Sequence, residues 1–154
     1  MLSITLENLK RTEQILRVNG FEKIVLRNCD IQTISSLDAC KELHLHKCRS
    51  LEFLPPLPNC EKLTIDMCFN LKTLPELPKC RFLTLSLTDI EKVPALPHCK
   101  SLNISHVKGE RMVLPDLPKC EKVVLYGLML EKDLIMPSLQ YESDVAGTAE
   151  KRNA

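Results

Sequence analysis

LPPLPNCEKLTIDMCFNLKT at 54–73 and LPELPKCRFLTLSLTDIEK at 74–92 stand back to back and are two copies of one pattern. Each opens with a seven-residue block, which returns as VPALPHC at 93–99 and LPDLPKC at 114–120. An eroded copy, ISSLDAC at 34–40, keeps the apolar positions and the cysteine, with Ser35 and Asp38 where prolines stand elsewhere. Successive blocks start 20, 20, 19 and 21 residues apart, and nine of the ten prolines lie inside them. Self-similarity at a fixed period of this size marks a stacked repeat, in which each unit buries its apolar face only against its neighbours.

After each block and two further residues comes an alternating apolar pair: Leu43/Leu45, Leu63/Ile65, Leu83/Leu85, Leu102/Ile104 and Val123/Leu125. Ile24/Leu26 precede them, and Ile4/Leu6 fit the same series. Period two over so short a stretch predicts strands with one face inward. Five residues past the first apolar residue stand Cys29, Cys48, Cys68, Thr88, Val107 and Leu128. A thiol or hydroxyl there can donate to backbone carbonyls whereas Val and Leu cannot, so the carboxy-terminal turns are expected to be less well tied. A coil of this length has little room for a return helix of several turns. L-P-x-L-P is excluded from a helix interior, and each residue before proline is pushed to extended geometry. The expected architecture is about six short parallel strands on a concave face and an extended, proline-rich convex side.

The L-x-L-x-x-(N/C)-x-L frame with its LPxLPxC blocks resembles the 20-residue leucine-rich repeats of bacterial effectors of the YopM and IpaH type. It is similar also to the leucine-rich repeats encoded by giant DNA viruses. The resemblance covers roughly residues 20–139. It implies a leucine-rich-repeat solenoid that binds proteins in a host cytosol. The asparagine usual in the ladder is replaced here by cysteine and then by Thr88, Val107 and Leu128. The C-x-D motif of the IpaH ligase domain is absent from the sequence, so ligase activity is not carried over.

Composition sets further bounds. Of 154 residues, 44% are hydrophobic but only 4% aromatic, with no Trp, which favours many similar aliphatic layers over one large centre. Lys plus Arg number 21 against 20 for Asp plus Glu, so no overall positive field invites nucleic acid or an anionic membrane, and neither is an expected partner. No apolar run approaches the roughly 20 residues of a membrane helix, and Glu7 interrupts what a signal peptide would need to be apolar. A cytoplasmic location is expected. The eight cysteines form two columns set by the repeat, Cys29/Cys48/Cys68 and Cys40/Cys60/Cys80/Cys99/Cys120, and read as buried reduced thiols. No C-x-x-C pair suggests structural zinc, and no cofactor is expected.

Residues 1–20 are expected to form a cap or a first irregular repeat. Leu9, Thr12 and Leu16 lie near helical spacing with Gly20 as a stop, while the 20-residue step from Ile4 to Ile24 fits a regular coil instead. The solenoid proper is assigned to 21–140, and 141–154, small and charged without periodicity, to a disordered tail.

In such a stack the outward residues of the strands make one surface that the core leaves free. The candidate partner-binding residues there are Arg27, His44, His46, Asp66, Met67, Phe82, Leu87, His106 and Tyr126. His44 and His46 point outward while Cys48 turns inward, so these three do not converge as metal ligands. No nucleophile, acid–base pair or glycine loop stands out as catalytic. The expected function is a monomeric, non-enzymatic protein-interaction module. The alternative is the substrate-recognition part of a ubiquitin ligase or similar enzyme acting in trans.

Overall fold

A computed structural model describes residues 1–10, 15–130, 134–135, 141–143 and 148–151. Its strands in chain order are β1 (Ser3–Glu7), β2 (Ile15–Leu16), β3 (Lys23–Arg27), β4 (Thr33–Ile34), β5 (Glu42–His46), β6 (Lys62–Asp66), β7 (Phe82–Ser86) and β8 (Ser101–Ser105). There follow β9 (Lys108–Gly109), β10 (Met112–Val113), β11 (Lys122–Tyr126), β12 (Met129–Leu130), β13 (Leu134–Ile135), β14 (Tyr141–Ser143) and β15 (Thr148–Lys151). Among the described residues there is no helix.

Seven five-residue strands, β1-β3-β5-β6-β7-β8-β11, form one parallel sheet whose neighbours are consecutive coils. The register repeats without slippage. Leu43 meets Leu63, Leu63 meets Leu83, and Leu83 meets Leu102, while Leu45, Ile65, Leu85 and Ile104 line up beside them. Every one of these residues is buried, so the chain is a parallel-strand solenoid with a ribbon of Leu and Ile under its sheet. A one-residue slip would turn this whole ribbon to solvent, which is why the period of the apolar pairs specifies the register.

The proline blocks build the return path. Leu57, Leu77, Leu96 and Leu117 are buried against the sheet, and the residue three places on is held by a tight turn. Cys60 N–H donates to Leu57 O at 3.3 Å, and Cys80, Cys99 and Cys120 repeat the bond to Leu77, Leu96 and Leu117, each at 3.2 Å. Pro58, Pro78, Pro97 and Pro118 occupy the second position of these turns, where a fixed φ near −65° is already correct. Cys40 closes the same turn on Leu37 at 2.9 Å without a proline, so the eroded block keeps the geometry.

Both cysteine columns are buried, and none of these cysteines is in a disulfide. In the turn column the thiol reaches the strand it precedes, as when Cys40 Sγ donates to Glu42 O at 3.3 Å and Cys120 Sγ to Lys122 O at 3.2 Å. In the ladder column Cys29 donates to Leu6 O at 3.4 Å and Cys48 to Leu26 O at 3.7 Å, stitching adjacent coils. Burial pushes the thiols of Cys40 and Cys80 up to about 11 and that of Cys60 to about 12, while contact with the Cys120 thiol and burial raise Cys99. Thiolate is the reactive form, so the folded protein is expected to resist alkylation at pH 8 and to titrate as eight thiols once denatured without reductant. A denatured count of four or fewer would overturn this.

Three expectations need correction. The capping helix is not what residues 1–10 and 15–20 form, while 11–14 lie outside the described residues. Ser3–Glu7 instead pairs in register with Lys23–Arg27, and Ile15–Leu16 pairs with Thr33–Ile34. The unsatisfied edge of β3 is worth more to this segment than an isolated helix of marginal length. The segment 141–154, expected to be disordered, contains β14 and β15; β15 runs antiparallel to β11 and β14 antiparallel to β15. The exposed edge of β11 supplies the donors and acceptors that recruit them. The last part of the segment assigned to the solenoid, 131–140, lies outside the described residues apart from β13.

The third correction is Thr88. It follows the ladder cysteines, but its hydroxyl, on a residue 1% exposed, has no hydrogen-bond partner among the described residues. A buried hydroxyl left unpaired costs stability. Thr88→Val keeps the shape and removes the orphan, so chemical denaturation should show a gain of about 1 kcal/mol. A loss would mean that the hydroxyl is satisfied in solution.

Candidate functional site

Five side-chain columns cross the concave face, one for each outward position of the coil. The first, just before the strands, is Glu22, Lys41, Glu61, Arg81, Lys100 and Glu121, and the second begins Lys23, Glu42, Lys62, Phe82. The third, along the middle, includes Val25, His44, Thr64 and Thr84, and the fourth contains Arg27, His46, Asp66, Ser86, Ser105 and Tyr126. The fifth lies one residue past the strands: Asn8, Asn28, Lys47, Met67, Leu87, His106 and Gly127.

Much of the charge on this face is spent between neighbouring coils. Lys41 Nζ lies 2.5 Å from Glu22 Oε1, Lys23 Nζ 3.1 Å from Glu42 Oε2, and Arg27 Nη1 2.7 Å from Glu7 Oε1. His46 Nδ1 is 2.6 Å from Asp66 Oδ2. The hydrogen bond from Lys23 holds the Glu42 carboxyl below its usual range. Burial, with Lys62 and Lys23 nearby, lowers His44, which is therefore neutral at pH 7. Arg27, His46 and Asp66 thus already have partners within the chain, and together with His44 they line a depression of about 390 Å³.

The fifth column has a feature of its own. Asn8, Asn28, Lys47, Met67, Leu87 and His106 all take positive φ, from 50° to 57°, and Gly127 takes 61°. This left-handed residue turns the chain off the strand while its N–H continues the ladder. Met67 N–H donates to Ser86 O, and Leu87 N–H to Ser105 O, both at 3.1 Å. Asn and Gly adopt this conformation easily, and Asn28 Nδ2 further donates to Asn8 Oδ1 at 2.8 Å. Met and Leu do so at a cost of roughly 1 kcal/mol each. Their side chains stay half exposed beside Asp66 and Ser86. At the carboxy-terminal end the His106 and Tyr126 rings meet edge to face with centroids 5.1 Å apart. A Cβ on Gly127 would sit 2.9 Å from His106 Cδ2, so glycine serves both the backbone and this ring.

The nine predicted residues therefore do not make one patch. Met67, Leu87, His106 and Tyr126 run along one edge of the sheet with Arg27, His46 and Asp66 beside them, and His44 lies at the centre. Phe82, 42% exposed, begins its strand and belongs to the opposite edge, about 16 Å from Leu87 at the strand rise. There Arg81 lies over its ring at 5.7 Å, and a depression of about 520 Å³ opens between Phe82, Lys62, Thr84 and Asn103. The residue that sequence reasoning missed is Arg81, whose position before the strand placed it among turn residues.

Among the described residues no group of His, Cys, Asp and Glu is placed to hold a metal ion, and no helix is long and apolar enough to cross a membrane. Comparison with protein-family models, with curated proteins and with solved structures finds no match.

Proposed function

We propose that this chain is a leucine-rich-repeat module of the effector-like kind that binds another protein through its concave face without catalysis. The observation that carries the reading is the pair Met67 and Leu87, apolar side chains kept half exposed on left-handed backbone in adjacent coils. The fold alone would be served better there by Asn or Gly, and strain retained against that preference points to a use outside the fold. Phe82 and Tyr126, 42% and 54% exposed, add aromatic surface of the kind interfaces favour. The partner suited to this surface offers an apolar side chain to the Met67–Leu87 ridge and a ring or aliphatic group to Phe82. Buried thiols with raised pKa fit a reducing cytosol.

The test is capture from host-cell lysate by the immobilised chain, with bound proteins identified and then titrated individually. Phe82→Ala should weaken capture of the partner about tenfold, the effect of losing one anchor. The pair Glu76→Ala and Asp116→Ala, on exposed positions of the convex blocks, should leave it unchanged. Loss of capture by the convex pair with retention by Phe82→Ala would place the binding surface on the other side.

A further inference from the structure

The two ends of the sheet differ. At the carboxy-terminal end β11 is covered by β15 and then β14, both in antiparallel pairings, so another parallel coil cannot follow there as one coil follows the next. At the amino-terminal end β1 is the last strand, and among the described residues nothing pairs with its outer side. Asn8 N–H donates inward to Arg27 O at 2.9 Å, and Leu2 O accepts from Glu22 and Lys23. Backbone groups alternate in direction along a strand, so the even-numbered residues face β3 while Ser3, Thr5 and Glu7 turn their N–H and C=O to the open edge.

The apolar layer is interrupted at the same place. Ile4 and Leu6 are only half-buried, whereas Ile24 and Leu26, which they meet in register, are 0% exposed. Leu2 and Ile15 of the same coil are 60% and 45% exposed. Each later coil has both faces covered, and this one has a single face covered.

We propose that this edge is a self-association site, at which β1 pairs antiparallel with β1 of a second copy about a twofold axis through Thr5. Centred there, Thr5 meets the second copy's Thr5, Ser3 meets Glu7, and Ile4 meets Leu6. Antiparallel strands exchange both backbone bonds at alternate pairs, and the outward-facing Ser3, Thr5 and Glu7 all fall on pairs of that kind. On the concave side no like charges are opposed, because Glu7, held by Arg27 at 2.7 Å, faces a serine. On the core side Ile4 and Leu6 gain the apolar neighbour that β3 already gives them on the other face. A twofold uses one patch twice, so the product is a closed dimer and not a filament. The alternative of head-to-tail stacking would need β1 to run along β14, which is only three residues long.

An axis normal to the sheet keeps both concave faces on one side. The dimer therefore presents a single concave surface of doubled length, on which one extended partner, or two linked ones, would be held with gain in avidity. Self-association itself does not depend on what the concave face binds.

The experiment is sedimentation equilibrium of the full chain at rising concentration. The contact is one coil end and small for a stable interface, so association should appear in the micromolar range, the average mass climbing towards twice 17.5 kDa. Thr5→Lys and Thr5→Glu each set like charges against each other at the axis and should stay at one chain with an unchanged circular-dichroism melt. Mixed in equal amounts, the two variants should associate again, because opposite charges then face each other. The proposal is overturned if the wild type stays at one chain, if it grows beyond two, or if Thr5→Lys associates as the wild type does. A wild-type dimer whose charge variants fail to pair with each other would overturn it too, by putting the contact elsewhere.

Discussion

Leu85→Ala should lower the free energy of unfolding by about 2–5 kcal/mol, through lost burial and a cavity that neighbouring coils cannot close. Leu85 is 0% exposed and sits in register between Ile65 of the preceding coil and Ile104 of the next. The solenoid has no central core to redistribute the gap, because each coil packs chiefly on two others. Damage should therefore spread locally first. Amide hydrogen exchange should accelerate most in β6, β7 and β8, with β3 less affected, before the whole chain unfolds. Lys79→Ala removes only an exposed side chain whose ammonium donates to Asn59 Oδ1 at 2.7 Å, and should change stability by less than about 0.5 kcal/mol. Equal effects of the two substitutions in chemical denaturation would mean that the inward and outward positions have been exchanged.

The legible part of this fold is the part governed by burial. An apolar pair recurring every coil can satisfy its residues in only one register, so Leu43, Leu63, Leu83 and Leu102 could be aligned from spacing and are found aligned. Proline acts just as locally: its fixed φ set the turn at Pro58 and Pro78 without regard to the rest of the chain. Less legible were features that depend on unsatisfied backbone. Leu9, Thr12 and Leu16 suggested a helix, but Ser3–Glu7 pairs with the edge of β3 and Ile15–Leu16 with β4, and this pairing satisfies backbone groups that spacing alone does not announce. The strands in 141–151 answer to the edge of β11 in the same way, with no periodicity of their own to announce them.

The candidate site was legible by position and not by conformation. Registered strands bring residues about one coil apart side by side, so Glu7–Arg27 and His46–Asp66 follow once the register is known. The left-handed column was disguised by its own middle members. Asn8, Asn28 and Gly127 belong to residue types that favour positive φ, but Lys47, Met67, Leu87 and His106 do not, and only the backbone shows that they share the conformation. Arg27 and His46, named as partner-binding candidates, already have acidic partners in Glu7 and Asp66 of this chain.

Met67→Asn together with Leu87→Asn is expected to leave stability within about 1 kcal/mol of wild type while weakening capture of the partner about a hundredfold. The two halves of the result come from opposite terms. At φ of 57° and 50°, Met67 and Leu87 each pay roughly 1 kcal/mol that Asn largely avoids, because its short polar side chain tolerates the left-handed region. Against that gain stands the burial each half-exposed side chain loses, also about 1 kcal/mol. The paired Asn28 and Asn8, linked at 2.8 Å one coil apart, show that neighbouring asparagines fit this column and bond to each other. The backbone ladder from these residues to Ser86 O and Ser105 O uses only their N–H and is indifferent to the side chain. A partner would feel the change entirely, since an apolar ridge becomes two amides, and losing two adjacent anchors costs about 2.7 kcal/mol, which is that hundredfold. Lys47→Asn, one coil away in the same column, relieves the same strain without touching the ridge; it should raise stability slightly and leave capture near wild type. Titration of the purified partner against the three proteins, with denaturation curves of each, separates the terms. Full capture by the Met67/Leu87 double variant would mean that these side chains are tolerated by the fold for no gain in binding, and the concave edge would lose its role.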